Sequence, residues 1–271
     1  MERLEVHTLI CKRDINLFIA TIKLFAYHSK LDFNTVIHED GSFDDSDCTY
    51  LNEHIPNVYI IRREDAEKAM KDFLKDHELC THFRFAEHHT VFRMKLFDQF
   101  YFTRSNNLIQ LDADILFSKT PQALINHIAN REGAYLRDTW SAYCVPFRDE
   151  DNDTLVDRFI NAGLNYYPTK AHYSLDHIEK CLEILYKHGS KGATHPFLEQ
   201  NCIAYMTTQL KKEGISFLQL PHPDYCVPTF NEFRAEHGLT ALHLNSSPIV
   251  GQWRREHYEY ELAKAGIDWK I

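Results

Sequence analysis

A chain of 271 residues, 44% of them hydrophobic and 13% aromatic, can bury a sizeable core. Its net charge of −9 excludes a global basic field for nucleic acid, so an anionic substrate needs a local cation or basic cluster. The opening MERLEVHTLICKRD alternates like a strand and has neither a signal peptide's apolar core nor a membrane-spanning run, and the seven cysteines show no CxxC pair. A cytoplasmic protein with reduced thiols and no transmembrane segment is the expectation.

Glu5 to Ile10 reads as a strand, and the dense apolar residues between Ile15 and His28 read as a buried helix. A second strand, NTVIH, runs into the turn-rich EDGSFDDSD; a third, NVYII, leads to a polar helix from Glu64 to His77. Thr90 to Phe102 is predicted as an aromatic-rich helix, and after the turn TRSN the apolar strand NLIQL stops at Asp112. Next come ILFSKTP, a short helix from Gln122 to Ile128, the strand GAYL, the polar RDEDND and the apolar NAGLNYY. Helices from Leu175 to His188 and Phe197 to Lys211 flank HGSKGATHP; the strands SFLQL and ALHL precede a last amphipathic helix from Arg254. Alternating strands and helices imply an α/β fold with a mostly parallel central sheet, flanked by helices and binding its ligand at the strands' carboxyl ends. No internal repeat or flexible linker divides the chain, so residues 1–271 are expected to form one domain, in halves 1–120 and 121–271 of which the second is less regular.

Four Asp-x-Asp triplets occur, at Asp45/Asp47, Asp112/Asp114, Asp149/Asp151 and Asp151/Asp153. Only Asp112 and Asp114 lie between two apolar runs, where unpaired carboxylates are costly and a divalent cation offsets the cost. The bland alternative is a pair of strand-end aspartates capping a turn. A calcium loop in RDEDNDTLVDRFI fails because Thr154 and Ile160 occupy the positions that need Gly and Glu. A haloacid-dehalogenase-type phosphatase fails because Leu116 stands where its Thr belongs, and zinc on Cys80, His82, His88 and His89 lacks a ligand spacing. Asp40, closing the second strand, is placed to hold a nucleoside, although turn chemistry explains its DG equally well.

The segment HTVFRMKLFDQFYFTRSNNLIQLDADILF resembles glycosyltransferase family 8, the glycogenin-like and bacterial lipopolysaccharide galactosyltransferase family. Thr90 and Arg93 match its pre-strand helix, and Asp112 and Asp114 its metal pair; FINAGLNYYP, LEQN and LHLNSSP match three later segments in the family's order. Together these cover about residues 90 to 250. The resemblance implies a GT-A fold, a nucleotide-sugar donor, usually a UDP-sugar, and Mn2+, with Mg2+ the other candidate. It implies Asp112, Asp114 and His243 as metal ligands, and Arg93, Ala113, Asn161, Ala162 and Gly163 against the donor. Gln200 falls near the anomeric centre, which suggests retention of configuration. Two carboxylates and an imidazole suit Mn2+, and a cation there would neutralise a diphosphate leaving group.

Two departures from the family pattern matter. The closing segment reads HLNSSPIVGQWRR without the family's diphosphate lysine, which leaves Arg254, Arg255 or Lys191 as stand-ins. The first strand ends in CKRDIN, so Cys11 and Asp14 are the donor-side candidates, with no adjacent aromatic for the base. An inverting enzyme would instead need a carboxylate base, for which Glu199 and Asp138 are the candidates. The acceptor, a glycan or another hydroxyl compound, is not legible. A GT-A-shaped protein that binds nucleotide or glycan without catalysis is the alternative of a different class.

Overall fold

β1 (Leu4–Ile10) is buried along almost its whole length, the mark of a central strand covered on both faces. It feeds α1 (Ile15–Ser29), apolar over most of its surface and closed by Lys30 in the left-handed conformation. The structure, a computed structural model, describes residues 3–86, 91–138, 156–157, 159–187, 198–227, 239–244 and 248–271. The chain continues through β2 (Phe33–Glu39), α2 (Asp45–His54), β3 (Val58–Ile61), α3 (Arg63–Phe73), α4 (Glu78–Phe85) and α5 (Arg93–Phe102). There follow β4 (Leu108–Leu111), β5 (Ile115–Phe117), α6 (Gln122–Asn130), β6 (Gly133–Arg137) and β7 (Ile160–Tyr167). Last come α7 (Leu175–Lys187), α8 (Leu198–Lys212), β8 (Phe217–Gln219), β9 (Tyr225–Cys226), β10 (Ala241–His243) and α9 (Pro248–Lys264).

Seven strands form one sheet in the order β3-β2-β1-β4-β7-β6-β8. All its pairings are parallel except those of β7, which runs antiparallel to both β4 and β6. The expected mostly parallel, helix-flanked sheet is therefore present. A second sheet, β5-β10-β9, pairs β10 antiparallel to β5 and sets His243 opposite Ile115. Ile109 and Leu111 join the apolar cluster around α1, Leu108 the one formed with α5, α7 and α8, so β4 separates two cores by its two-residue period.

Three elements depart from the sequence reading. The turn-rich EDGSFDDSD starts α2, because Asp44 accepts from the backbone N–H of Ser46 and Asp47 while Asp47 caps in return. α4 was not anticipated; its Arg84 is buried and forms a two-pronged ion pair with Asp98 of α5, at 2.8 and 2.7 Å. α9 begins at Pro248 rather than Arg254, with proline at the start, where no N–H is needed. Thr90, His88, His89, Lys191 and the Asp149/Asp151/Asp153 triplets lie outside the described residues. The six described cysteines are free, and no described helix is long and apolar enough to cross a membrane.

Candidate metal and donor site

Asp112 and Asp114 occupy the turn between β4 and β5, past the carboxyl end of the strand, as the sequence predicts. The Asp112 N–H donates to Gly163 O at 2.8 Å and the Leu244 N–H to Asp114 O at 2.9 Å, so backbone bonds from β7 and β10 tie this turn down. The same convergence brings in His243. Its Nε2 lies 3.2 Å from Asp114 Oδ1 and 3.6 Å from Asp112 Oδ2, and ligand atoms of the three residues all fall within 4.8 Å of one another. Among the described residues this is the one such group of acidic, histidine or cysteine side chains. Two carboxylates on one turn and an imidazole on β10 fit a divalent cation of the Mn2+ or Mg2+ kind by donor type.

A hydrogen-bonded chain behind the imidazole orients it. His243 Nδ1 lies 2.9 Å from Asn161 Oδ1, an acceptor, so Nδ1 carries a proton; Nε2 faces the carboxylates, donating to Asp114 when protonated and free to offer its lone pair to a cation when not. Asn161 Oδ1 also accepts from the Gly163 N–H at 2.7 Å, and Asn161 Nδ2 donates to Asp138 Oδ2 at 3.1 Å. Gln200 Nε2 donates to that same oxygen at 2.8 Å. Four residues picked from the sequence for separate roles thus form one buried network ending on His243. Ala162, between Asn161 and Gly163 on β7, faces the opposite core. Ala113 contributes its carbonyl, which accepts from Thr21 Oγ1 at 2.6 Å.

Gly163 has a steric reason. A Cβ there would lie 2.6 Å from both Cε1 and Nδ1 of His243, and 2.8 Å from Asn161 Oδ1. Gly163→Ala must therefore displace the imidazole, and we expect a loss of about 1–3 kcal/mol in stability. Metal affinity should fall with it; calorimetric Mn2+ titration beside a melting curve checks both.

Of the two cations at these carboxylates, the sequence nominates Arg254 and passes over Lys95. Lys95, on α5, is buried and its Nζ donates to Asp112 Oδ1 at 2.6 Å. Burial works against its charge, but Asp112 and then Glu199 outweigh this and raise its pKa. A lone lysine in the apolar run RMKLF was the available signal. Arg254 Nη1 stands 3.7 Å from Asp114 Oδ2, whereas Arg255 turns to Glu259 at 2.8 Å. Burial opposes ionisation of Asp114, but His243, then Arg254 and Lys95, hold its pKa below the usual value. His243 mirrors it: burial disfavours its charge, and Asp114 and Asp112 raise its pKa regardless. Glu199, buried at the start of α8, is pushed up to about 7 by burial, against the pull of Lys95.

Cys11, Asp14 and Asp40 follow β1 and β2 and line one open pocket of about 540 Å3 with Lys12, Ser42 and Phe92. Cys11 Sγ donates to Asp14 Oδ2 at 3.1 Å, and Asp40 Oδ1 accepts from the Ser42 N–H at 3.0 Å. Because β2, β1 and β4 are neighbours and parallel, this pocket and the turn carrying Asp112 and Asp114 sit at the same end of the sheet. Arg93 directly follows Phe92 and is buried; its Nε and Nη1 have no hydrogen-bond partner among the described residues. Burial, with Arg84 and Arg63 nearby, lowers its pKa to about 10.

No protein-family model and no curated protein sequence matches the chain. Solved structures do match in shape. The galactosyltransferase LgtC in complex with donor and acceptor sugar analogs aligns with a TM-score of 0.60 at 10% identity, over 96% of each chain. Mouse xyloside xylosyltransferase 1 aligns with a TM-score of 0.58 at 11% identity, over 91% of this chain and 99% of that one. The bifunctional glycosyltransferase WbbM aligns with a TM-score of 0.56 at 13% identity, over 97% of this chain and 51% of its own. The chain therefore has the GT-A glycosyltransferase fold.

Proposed function

We propose that this chain is a metal-dependent glycosyltransferase, of the family 8 kind, that moves a sugar from a nucleotide-sugar donor to a glycan or other hydroxyl acceptor. The observation that carries the reading is the Asp112, Asp114 and His243 cluster at the carboxyl end of β4, in a fold shared with LgtC, whose complex holds donor and acceptor sugar analogs. A divalent cation held by these three residues would supply charge neutralisation at a diphosphate as its bond to the sugar breaks. Arg254 supplies a further positive charge at the same edge, where the family's lysine is missing. Cys11, Asp14 and Asp40 face the nucleoside. The test is a screen of UDP-sugars and other nucleotide-sugars for Mn2+-dependent donor hydrolysis. Turnover of one donor, abolished by EDTA, is the expected result, and binding of nucleotide without turnover would instead mark a non-catalytic binding protein.

Retention of anomeric configuration is the favoured outcome, with the acceptor hydroxyl passing its proton to the departing phosphate on the donor's front face. Glu199 supports a second, inverting reading, because a buried carboxyl with a pKa of about 7 suits a general base. Asp138 suits that role less, since its Oδ2 already accepts two hydrogen bonds. The anomeric proton of the product distinguishes the two.

Arg93 is assigned to the donor, on its place beside the pocket residue Phe92 and on two guanidinium nitrogens that have no partner among the described residues. A paired hydrogen bond to phosphate or sugar hydroxyls is beyond a lysine ammonium. Arg93→Lys is expected to lose about 2–3 kcal/mol of transition-state stabilisation, roughly thirty- to a hundred-fold in kcat/KM, at unchanged melting temperature.

A further inference from the structure

α9 ends in a glycine stop. Gly266 is left-handed at a φ of +69°; its N–H donates to Ala263 O at 3.0 Å and the Ile267 N–H to Leu262 O at 2.9 Å, the pair of bonds that closes a helix and turns the chain aside. Residues 267–271 then run on with neither helix nor strand. Ile267, Trp269 and Ile271 pack on the apolar cluster around α1, while Asp268 and Lys270 between them are exposed, so the segment is an extended strap with a two-residue period.

Trp269 holds the first turn of α1. Its indole N–H donates to Asn16 O at 3.0 Å, its ring meets that of His54 on α2 at 4.8 Å between centroids, and Lys23 Nζ of α1 lies 5.1 Å from the ring centre. The Tyr50 hydroxyl of α2 donates to Asn16 Oδ1 at 3.3 Å. Asn16 stands two residues past Asp14, and the chain from Leu9 to Asp14 lines the donor-side pocket without a break. On the other flank the Lys12 N–H donates to Ser42 Oγ at 2.7 Å, and Lys12 Nζ pairs with Asp47 of α2 at 2.9 Å. Asp14 therefore lies between two grips, Lys12 and Asn16, and Cys11, bonded to Asp14 at 3.1 Å, is carried with it.

We propose that Trp269 is a positioning residue for the donor: its indole fixes the start of α1 and so sets the Cys11–Asp14 turn against the nucleoside. The inference deepens the donor reading and rests on it for the ligand, whereas the fixing of the turn does not. An indole suits the task because it joins a large rigid contact area to one directed N–H, and a turn already held in shape need not be ordered by its ligand.

Two readouts on Trp269→Ala test it. Alkylation of Cys11 by iodoacetamide without any ligand, followed by peptide mass spectrometry, reads the turn itself. Burial, and then Asp14, raise the pKa of the Cys11 thiol, which keeps it slow in the parent. The variant should label it about tenfold faster, the scale of one lost directed bond. UDP affinity with Mn2+ should fall about tenfold by calorimetry, and in donor hydrolysis KM should rise by that factor with kcat within about twofold. Ile178→Val, a mild truncation in the cluster formed with α5, α7 and α8, lowers stability away from the turn and should leave labelling, affinity and KM at parental values. A parental labelling rate in Trp269→Ala overturns the proposal, as does an effect of equal size in Ile178→Val, which would make it loss of stability alone. Faster labelling with parental UDP affinity and KM overturns it too, for the turn would then be held without consequence for the donor. If the parent binds no nucleotide the donor reading fails, while labelling still decides whether Trp269 holds the turn.

Discussion

Asp114→Ala is expected to lower kcat/KM for a nucleotide-sugar by roughly a thousand-fold or more, about 4 kcal/mol, and to abolish the Mn2+ dependence of nucleotide-diphosphate affinity. The carboxylate is one of the three proposed ligands, and even an outer partner of a metal ligand is worth about 10–100-fold, so loss of a ligand itself exceeds that scale. Asp114 is the better probe of the pair. Asp112 holds the buried Lys95, and its removal would strand an unpaired charge worth about 3–5 kcal/mol to the fold, confounding site with stability. Asp114 pairs with groups that keep some solvent contact, and its backbone bond to Leu244 survives truncation. Isothermal titration of UDP with and without Mn2+ reads the effect; equal affinity in both conditions for the parent chain would sink the metal bridge. pH supplies a second handle with a fixed sign. Because Asp114 and Asp112 raise the pKa of His243 against its burial, the proton competes with metal for Nε2, and Mn2+ affinity should weaken by up to about tenfold per pH unit once pH falls below that raised value.

How far the sequence reaches depends on the range of the forces involved. Strand and helix alternation is written in local apolar periodicity, which is why the sheet, the strand ending at Asp112 and the strand carrying Asn161 are legible without coordinates. α2 is local too, but its signal is a side-chain cap: Asp44 and Asp47 look like turn residues until the reciprocal bonds are seen. The site is less accessible because its logic is non-local. His243 reaches Asp114 through the antiparallel pairing of β10 with β5, across 129 residues of chain, and only a family resemblance nominates it in advance. Asp138, Asn161 and Gln200 were separable candidates in sequence, whereas in the fold they act on one imidazole. Lys95 shows the opposite failure. It lies two residues beyond Arg93, and at 100° per residue the two point to different sides of α5, so a pattern centred on Arg93 passes over the side chain that touches the metal pair.

The charge balance around Asp112 also bears on metal strength. Lys95 and Arg254 bring two positive charges toward two carboxylates, so the free site is nearly neutral without any cation. An incoming cation meets repulsion from both, and binding of an anionic diphosphate relieves it. Metal and donor should therefore bind with positive coupling, each tightening the other by the same factor.

Glu199→Gln is expected to stabilise the chain at pH 8 by up to about 3 kcal/mol and to change nothing near pH 4.5. The folded-state pKa of about 7 lies above the ordinary 4.5, so between those values the folded chain keeps a proton that the unfolded chain releases. Stability is then fullest below pH 4.5, declines as pH rises through that window, and has lost the whole contribution above pH 7. Glutamine matches the protonated carboxyl in shape and never ionises, so the variant escapes the decline. The difference between the two melting curves should open between pH 5 and pH 7 and stay constant beyond. Lys95, whose charge pulls against the rise at Glu199, loses a partner in the variant but keeps Asp112, which limits the offset. Melting temperatures in EDTA across pH 4.5–8 test this, and a variant no more stable than the parent at pH 8 would show that Glu199 is ionised at little expense in the folded chain. A carboxyl retained where glutamine would be more stable points to work at the reaction centre. If the variant also loses activity while the product's anomeric configuration is inverted, Glu199 is the base; if configuration is retained, its carboxyl serves the donor sugar beside Gln200.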